Sequence, residues 1–327
     1  MKLSILDFVT IHTGNTQKEA IENSIETLKL AESLGYYRYW FTEHHNSNRL
    51  VSTAPDLMIA LAMQHVSKIR LGSGGIMLPN HSSLKVAENF AILESMYPGK
   101  IDLGLGRAAG TNPQTALALA RSNEVMKNNS FDEQIDELTK FFNHSFPSTH
   151  TYSTIKLSDN VNYVPNIVML GSSHGGVQFA IKHGLPFVFA GHISPDLMQG
   201  VLNYYYQQSG NKGVAALGVI CAETDEEAKK LASSYELMWV RLLQGLGNFD
   251  RMSIEDALAY QYSAHELVIL EGVRSKFIAG SKETILTKFK SIQESCHVDE
   301  IMMVDIYPDH ESRLKGYRLL APESDAS

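Results

Sequence analysis

The sequence predicts an α/β fold, a (β/α)8 barrel with insertions after its fourth and seventh strands. Two observations predict it. Short β-branched or aromatic runs alternate with helix-period segments along the 327 residues. The first four runs end near positions 9, 42, 75 and 107, a spacing of about 33 residues that fits one strand plus one helix. Such alternation implies parallel strands joined by right-handed crossovers. Eight repeats close a barrel; a doubly wound open sheet is the rival architecture.

"LSILDFV" (3–9) reads as the first strand. The helix "TQKEAIENSIETLKLAESLG" follows, with Ala20, Ile21, Ile25, Leu28, Ala31 and Leu34 at helical spacing and Gly35 as its stop. "RYWFT" (38–42) is the second strand, and "APDLMIALAMQHVS" a helix with Pro55 in its first turn. "IRLGSGG" (69–75), the helix "SLKVAENFAILESMY" and "KIDLGLGR" (100–107) complete the third unit and open the fourth. After the helix "FDEQIDELTKFFN", the polar stretch 144–166 reads as an inserted hairpin. "IVMLG" (167–171), "LPFVFAG" (185–191) and "GVAALGVICAE" (213–223) are the next strands, the last followed by a long helix from Asp225 to about Leu243. Residues 245–280 read as an insertion with helical pieces, then come the helix "SKETILTKFKSIQESC" and the final strand "DEIMMVDIY" (299–307). Neither low-complexity segments nor linkers interrupt the chain, so residues 1–327 read as a single domain.

Composition narrows the function. The chain is 44% hydrophobic and 20% charged, an ordinary globular mixture. A formal net charge of −8 gives no electrostatic reason to bind nucleic acid or an anionic membrane. The two cysteines, Cys221 and Cys296, form no CxxC pair, which fits a reducing cytoplasm and argues against a thiolate metal site. No apolar run approaches a membrane span, and Asp7 interrupts the N-terminal one, so a cytoplasmic protein is expected.

In such a barrel the chemistry sits at the C-terminal strand ends. Those ends offer Thr10 and His12; Glu43, His44 and His45; Gly74 and Gly75; Arg107; Gly171, Ser172 and Ser173; and Gly191 and His192. "LGSSHGG" turns from a strand into a helix, which is either an anion site of free N–H groups or a plain serine cap. Arg107, closing "IDLGLGR", favours the anion, because a guanidinium beside such a turn suits a phosphate. "GSGG" supplies three glycines in four positions, so either unusual dihedrals are required or something flat approaches the backbone. It is no dinucleotide fingerprint. Glu43, His44, His45, His81, His174 and His192 invite a metal reading. However, adjacent side chains on an extended chain point apart and no HxH or HExxH spacing occurs, so no metal is expected. One of the paired histidines should face the cavity as an acid–base or hydrogen-bonding group, with an ordinary pKa near neutrality. Trp40 and Phe41 read as barrel packing.

The stretches "LGYYRYWFTEHHN", "IRLGSGGIMLPNHS", "YPGKIDLGLGRAAGTNP", "VMLGSSHGG" and "LPFVFAGHISP" resemble, in order, the bacterial-luciferase-like flavin monooxygenases. The resemblance implies a (β/α)8 barrel acting with reduced FMN and O2 on an aldehyde-like or other small organic molecule. It implies that His44 handles the flavin hydroperoxide and the substrate, with His45 structural. A non-prolyl cis peptide at Gly74–Gly75 would lie under the flavin ring. Arg107 would hold the flavin phosphate, with Gly171, Ser172 and Ser173 completing its site. The chain lacks the family's acid before the phosphate-binding serine, and Gly106 stands where luciferase has a reactive cysteine, so the resemblance does not by itself imply light emission. A separate flavin reductase and a homodimer are implied. A deazaflavin (F420) dehydrogenase on the same barrel and a flavin binder without turnover are the alternatives.

Overall fold

The computed structural model describes residues 1–120, 122, 130–157, 163–246 and 251–322. Nine strands, all in parallel pairings, lie among them: β1 (Lys2–Asp7), β2 (Arg38–Phe41), β3 (Arg70–Met77), β4 (Ile101–Gly106), β5 (Asn166–Gly171), β6 (Phe187–Ala190), β7 (Gly213–Ala222), β8 (Phe277–Ser281) and β9 (Val298–Asp305). Strands β1 to β7 pair in sequence, and β9 bonds to both β7 and β1, which closes an eight-stranded ring. Closure removes the open-sheet alternative and confirms the (β/α)8 barrel.

The eight ring strands are the eight expected from the sequence. The ninth, β8, was not expected, because "FIAGS" is a short run inside the stretch 245–280. Its pairing is tertiary in origin. β7 spends Gly213–Val219 on β9 and then runs on, and its outer residues 218–222 take β8 as a neighbour.

Helices wrap the ring: α1 (Gln17–Ser33), α2 (Pro55–Ala62), α3 (Ser83–Met96), α4 (Pro113–Ala120), α5 (Phe131–Asn143), α6 (His174–His183), α7 (Pro195–Ser209), α8 (Asp225–Leu243), α9 (Ile254–Ala259), α10 (Ala264–Arg274), α11 (Lys282–Cys296) and α12 (His310–Leu319). Local chemistry sets their ends. Thr16 and Glu19 close a capping box on α1, and Ser263 with Glu266 does the same for α10. Thr224 caps α8 through the N–H of Glu227. The insertion after β4 holds α4 and α5, and that after β7 holds α8 to α10 with β8. The hairpin expected within 144–166 lies partly outside the described residues; the neighbouring residues 151–154 form turns.

The barrel floor is polar, and apart from Asn166 at its edge its side chains are buried. Arg38 of β2 donates to Asp102 of β4 at 3.0 Å and to Glu300 of β9 at 2.9 Å. Asp102 also accepts from the Trp40 indole at 2.9 Å and the Asn166 amide at 2.8 Å, and Ser4 donates to Glu300 at 2.6 Å. The network joins the N-terminal ends of five ring strands. It seals one end of the barrel, so that the opposite end alone offers a mouth.

Candidate functional site

At the C-terminal strand ends the barrel opens into a cavity of about 220 Å³. Six predicted residues line it: His44, Gly74, Arg107, Gly171, Ser172 and Ser173. Gly75 does not. A Cβ there would collide with Leu170 and come within 2.7 Å of the Gly104 carbonyl, so Gly75 is packed into the wall behind the cavity. The Gly74–Gly75 peptide is cis, as the resemblance implied. A side chain on Gly74 would strike Leu6 and approach the Trp40 ring at 3.1 Å, so the backbone here stays bare toward the cavity.

Arg107 follows the last residue of β4 and is exposed. Its side chain passes over the Phe179 ring, 5.9 Å from the centroid. A Cβ built on Gly175 would sit 3.4 Å from Arg107 Nη1 and 3.7 Å from Ser173 Oγ. The guanidinium and the hydroxyl therefore flank the same spot, the first turn of α6. Ser173 is the N-cap residue of α6, yet its hydroxyl makes no capping bond, which leaves it available to a ligand. The first N–H groups of α6 lack helical acceptors, and the helix dipole adds positive potential. Gly171 and Gly176 make this tight turn possible: a Cβ on Gly176 would be 2.9 Å from the Gly171 Cα. Among the described residues no carboxylate pairs with Arg107. A guanidinium, a hydroxyl and a helix start together fit a phosphate dianion.

His44 stands across the cavity. Its Nδ1 meets Thr42 Oγ1 at 3.1 Å, its backbone N–H donates to the Ser52 carbonyl at 3.0 Å, and its ring lies 5.0 Å from that of Phe8. The near-neutral pKa expected for this residue does not hold: burial, reinforced by His45 and opposed by Glu43, pushes it down to about 4. His192 lines the same cavity, and burial, opposed by its ring's hydrogen bond with the Ala216 carbonyl and aided by the Lys276 charge, pushes it to about 4 as well. At neutral pH both imidazoles are uncharged hydrogen-bonding groups.

The neighbouring Glu43 and His45 are structural. Glu43 is fully buried and accepts the Met77 N–H at 2.9 Å, His81 Nε2 at 2.9 Å and His45 Nε2 at 2.9 Å. Burial alone would raise its pKa, but the bonds from His81 and His45 outweigh it and hold the carboxyl below its usual range. Glu43 thus ties the end of β2 to the loop after β3. Trp40 and Phe41 are buried, and Trp40 also forms part of the cavity wall. His12 is buried elsewhere with Nε2 unpartnered, Gly191 is packed against Leu217 and Met198, and exposed His174 faces Tyr204. Among the described residues no three His, Cys, Asp or Glu side chains are arranged to hold a metal ion, and no helix is long and apolar enough to cross a membrane. Leu6, Phe8 and Met77 also line the cavity; they were not anticipated, because they read as ordinary core or loop residues.

The buried histidines make stability depend on pH. His12, like His44 and His192, is pushed by burial to about 4. The unfolded chain therefore takes up these protons first, near pH 6.5, and stability is lost as pH falls from there toward 4. His81, raised by its bond to Glu43 against the effect of burial, works in the opposite sense and loses its contribution as pH rises. Melting curves should show a lower Tm at pH 5 than at pH 7, a loss on the order of 1 kcal/mol per depressed histidine. A Tm equal at the two values would contradict the burial of these rings.

Three comparisons place the chain among known proteins. The profile of the luciferase-like monooxygenase family matches residues 1–297. YceB of Bacillus subtilis is 35% identical over 328 residues, covering 98% of both chains. The N-acetyl-S-alkylcysteine monooxygenase of the same organism is 31% identical, covering 98% of this chain and 97% of its own. The structure of apo-MsnO8 superposes with a TM-score of 0.87 at 28% identity, covering 98% of this chain and 96% of the other. The FMN complex of the oxygenating constituent of 3,6-diketocamphane monooxygenase from Pseudomonas putida (TM-score 0.73, 19% identity, 99% and 97% covered) shares the fold. So does an F420-dependent secondary alcohol dehydrogenase (TM-score 0.67, 13% identity, 97% of each chain).

Proposed function

Because this chain belongs to the luciferase-like monooxygenase family, we propose that it uses reduced FMN and O2 to oxygenate a small organic molecule, aldehyde-like in the first instance. One observation carries the reading: Arg107 and Ser173 converge on the first turn of α6 at the rim of the cavity that holds His44. Arg107 and the hydroxyls and N–H groups of Ser172 and Ser173 would hold the phosphate; Gly171 would let the turn come close; Gly74 would offer backbone without a side chain to the flat ring system, with Gly75 packed in the wall behind it. Bound reduced flavin supplies two electrons to O2, of which one atom enters the substrate and the other leaves as water. His44, its Nδ1 committed to Thr42, presents Nε2 to the cavity and orients the reacting groups by hydrogen bonding. Being neutral, it would bring no acidic proton of its own into the cavity. Phe8, Leu6 and Met302 keep the remaining wall apolar and exclude water. With no nicotinamide motif in the sequence, the reduced flavin comes from a separate reductase.

F420 is the competing cofactor, since the same barrel serves an F420-dependent dehydrogenase. Titration with each cofactor separates them: FMN should bind the tighter. With reduced FMN in air and a panel of small aldehydes, ketones and thioethers, His44→Ala should bind FMN as before yet form product about 100-fold more slowly. Tight F420 binding with weak FMN binding would overturn the cofactor assignment. Product formation unchanged in His44→Ala would remove His44 from the mechanism.

A further inference from the structure

A second cavity, of about 160 Å³, adjoins the first and shares Phe8, His192 and Ile193 with it. Its walls come from the other side of the barrel: the end of β9, helix α8, and the insertion after β7. Val304, Met238 and Ile306 make much of the lining apolar. Into this apolar space project Arg251 and Lys276, and Arg49 stands at its edge. Arg251 lies over the Tyr235 ring at 5.2 Å and spends Nη1 on the carbonyls of Ile306 and Tyr307, at 3.0 and 2.7 Å. Lys276 lies over the Trp239 ring at 5.6 Å, close enough to His192 to lower its pKa.

Among the described residues Arg251 and Lys276 outnumber the carboxylates of this lining. Asp305 is the one carboxylate among the described residues of this lining, and it is committed elsewhere. Its Oδ2 accepts from Arg313 at 2.8 Å and its Oδ1 from the Tyr307 N–H at 3.3 Å. Among the described residues neither Arg251 nor Lys276 has a carboxylate within ion-pair distance. Cations in an apolar cavity are costly without an anion. Aromatic faces and two carbonyls give them partial compensation only.

We propose that this second cavity receives a carboxylate borne by the organic substrate, held by Arg251 and Lys276, while the apolar remainder of the molecule passes Phe8 and Ile193 toward His44. The planar guanidinium matches a carboxylate in shape, and the ammonium adds a second charge-assisted bond. The shared wall makes the geometry continuous, since the Phe8 ring that borders the second cavity lies 5.0 Å from His44. This rests on the monooxygenase reading above and narrows its substrate to small organic molecules that carry a carboxylate at the far end of an apolar chain from the group oxygenated.

Calorimetric titration of the protein, with and without FMN, tests it without requiring turnover. Hexanoate should bind about tenfold more tightly than hexanamide, and Lys276→Met should bring the two to parity with FMN affinity unchanged. Arg251→Met should do the same; Lys276→Met, which breaks no backbone hydrogen bond, is the variant to rely on if Arg251→Met folds poorly. Equal binding of hexanoate and hexanamide by the parent would overturn the proposal. So would a preference for hexanoate that survives in Lys276→Met, or inorganic phosphate binding the FMN-loaded protein more tightly than hexanoate. Failure to bind FMN alongside normal, Lys276-dependent hexanoate binding would remove the monooxygenase reading and leave the carboxylate site standing.

Discussion

Arg107→Met should weaken FMN binding by about 10- to 100-fold while leaving riboflavin binding unchanged. The prediction follows from where the guanidinium ends. It lies beside the Ser173 hydroxyl at the first turn of α6, exposed, with no carboxylate partner among the described residues and only the Phe179 ring beneath it. Removing it therefore breaks no ion pair of the fold, and the Tm of the flavin-free protein should hardly move. Its one strong partner would be the phosphate, which riboflavin lacks. Fluorescence quenching on titration with both flavins reads the difference directly. An equal loss for riboflavin, or none for FMN, would detach the phosphate from this turn. Ser173→Ala should weaken FMN in the same sense by a smaller factor, because a neutral hydroxyl gives a weaker bond than a guanidinium.

Glu43→Ala should be the most damaging substitution near the cavity, destabilising the fold by about 3–5 kcal/mol. The carboxylate is completely buried and holds the Met77 N–H, His81 and His45 at once. Its removal strands a buried donor and leaves His81 without the anion that raises its pKa. The end of β2 also loses its tie to the loop after β3, so His44 and Gly74 lose their fixed separation and FMN binding should weaken as well. Thermal melting and flavin titration of the same preparation measure both effects. Glu43→Gln, which keeps an acceptor for the Met77 N–H, should recover part of the stability. A Glu43→Ala protein melting within a degree of the parent would show that the hub is dispensable.

The fold is legible in the sequence where the pattern is local. Strand ends follow from runs such as "RYWFT" and "IVMLG", and once a barrel is inferred its topology gathers those ends at one rim. That is why Arg107, Ser172, Ser173, Gly171, Gly74 and His44 line one cavity. That Gly74 lines the cavity while Gly75 packs into the wall is not legible in the sequence, because β3 leaves regular register between Ser73 and Ile76 and only the packed neighbours decide which glycine faces inward. The acidity of His44 was equally out of reach: burial is a property of the assembled wall, and the sequence offers only the ordinary value. β8 depends on β7 outrunning β9, which no run of five residues encodes. The floor network joins Arg38 to Glu300 across 262 positions, a pairing without any sequence periodicity. Arg251 and Lys276 come from the least regular part of the chain, where charge alone gave no reason to single them out.

The extra strand β8 has a consequence for how this protein can change. β7 is shared, one half welded into the ring and the other half serving as a pier for the excursion that ends in β8. The groups assigned to the flavin phosphate come from the opposite arc, at the ends of β4 and β5. On the proposed assignments, an evolving gene could therefore remodel the stretch between β7 and β9, trading one clientele of substrates for another, while the proposed grip on the flavin phosphate stays untouched.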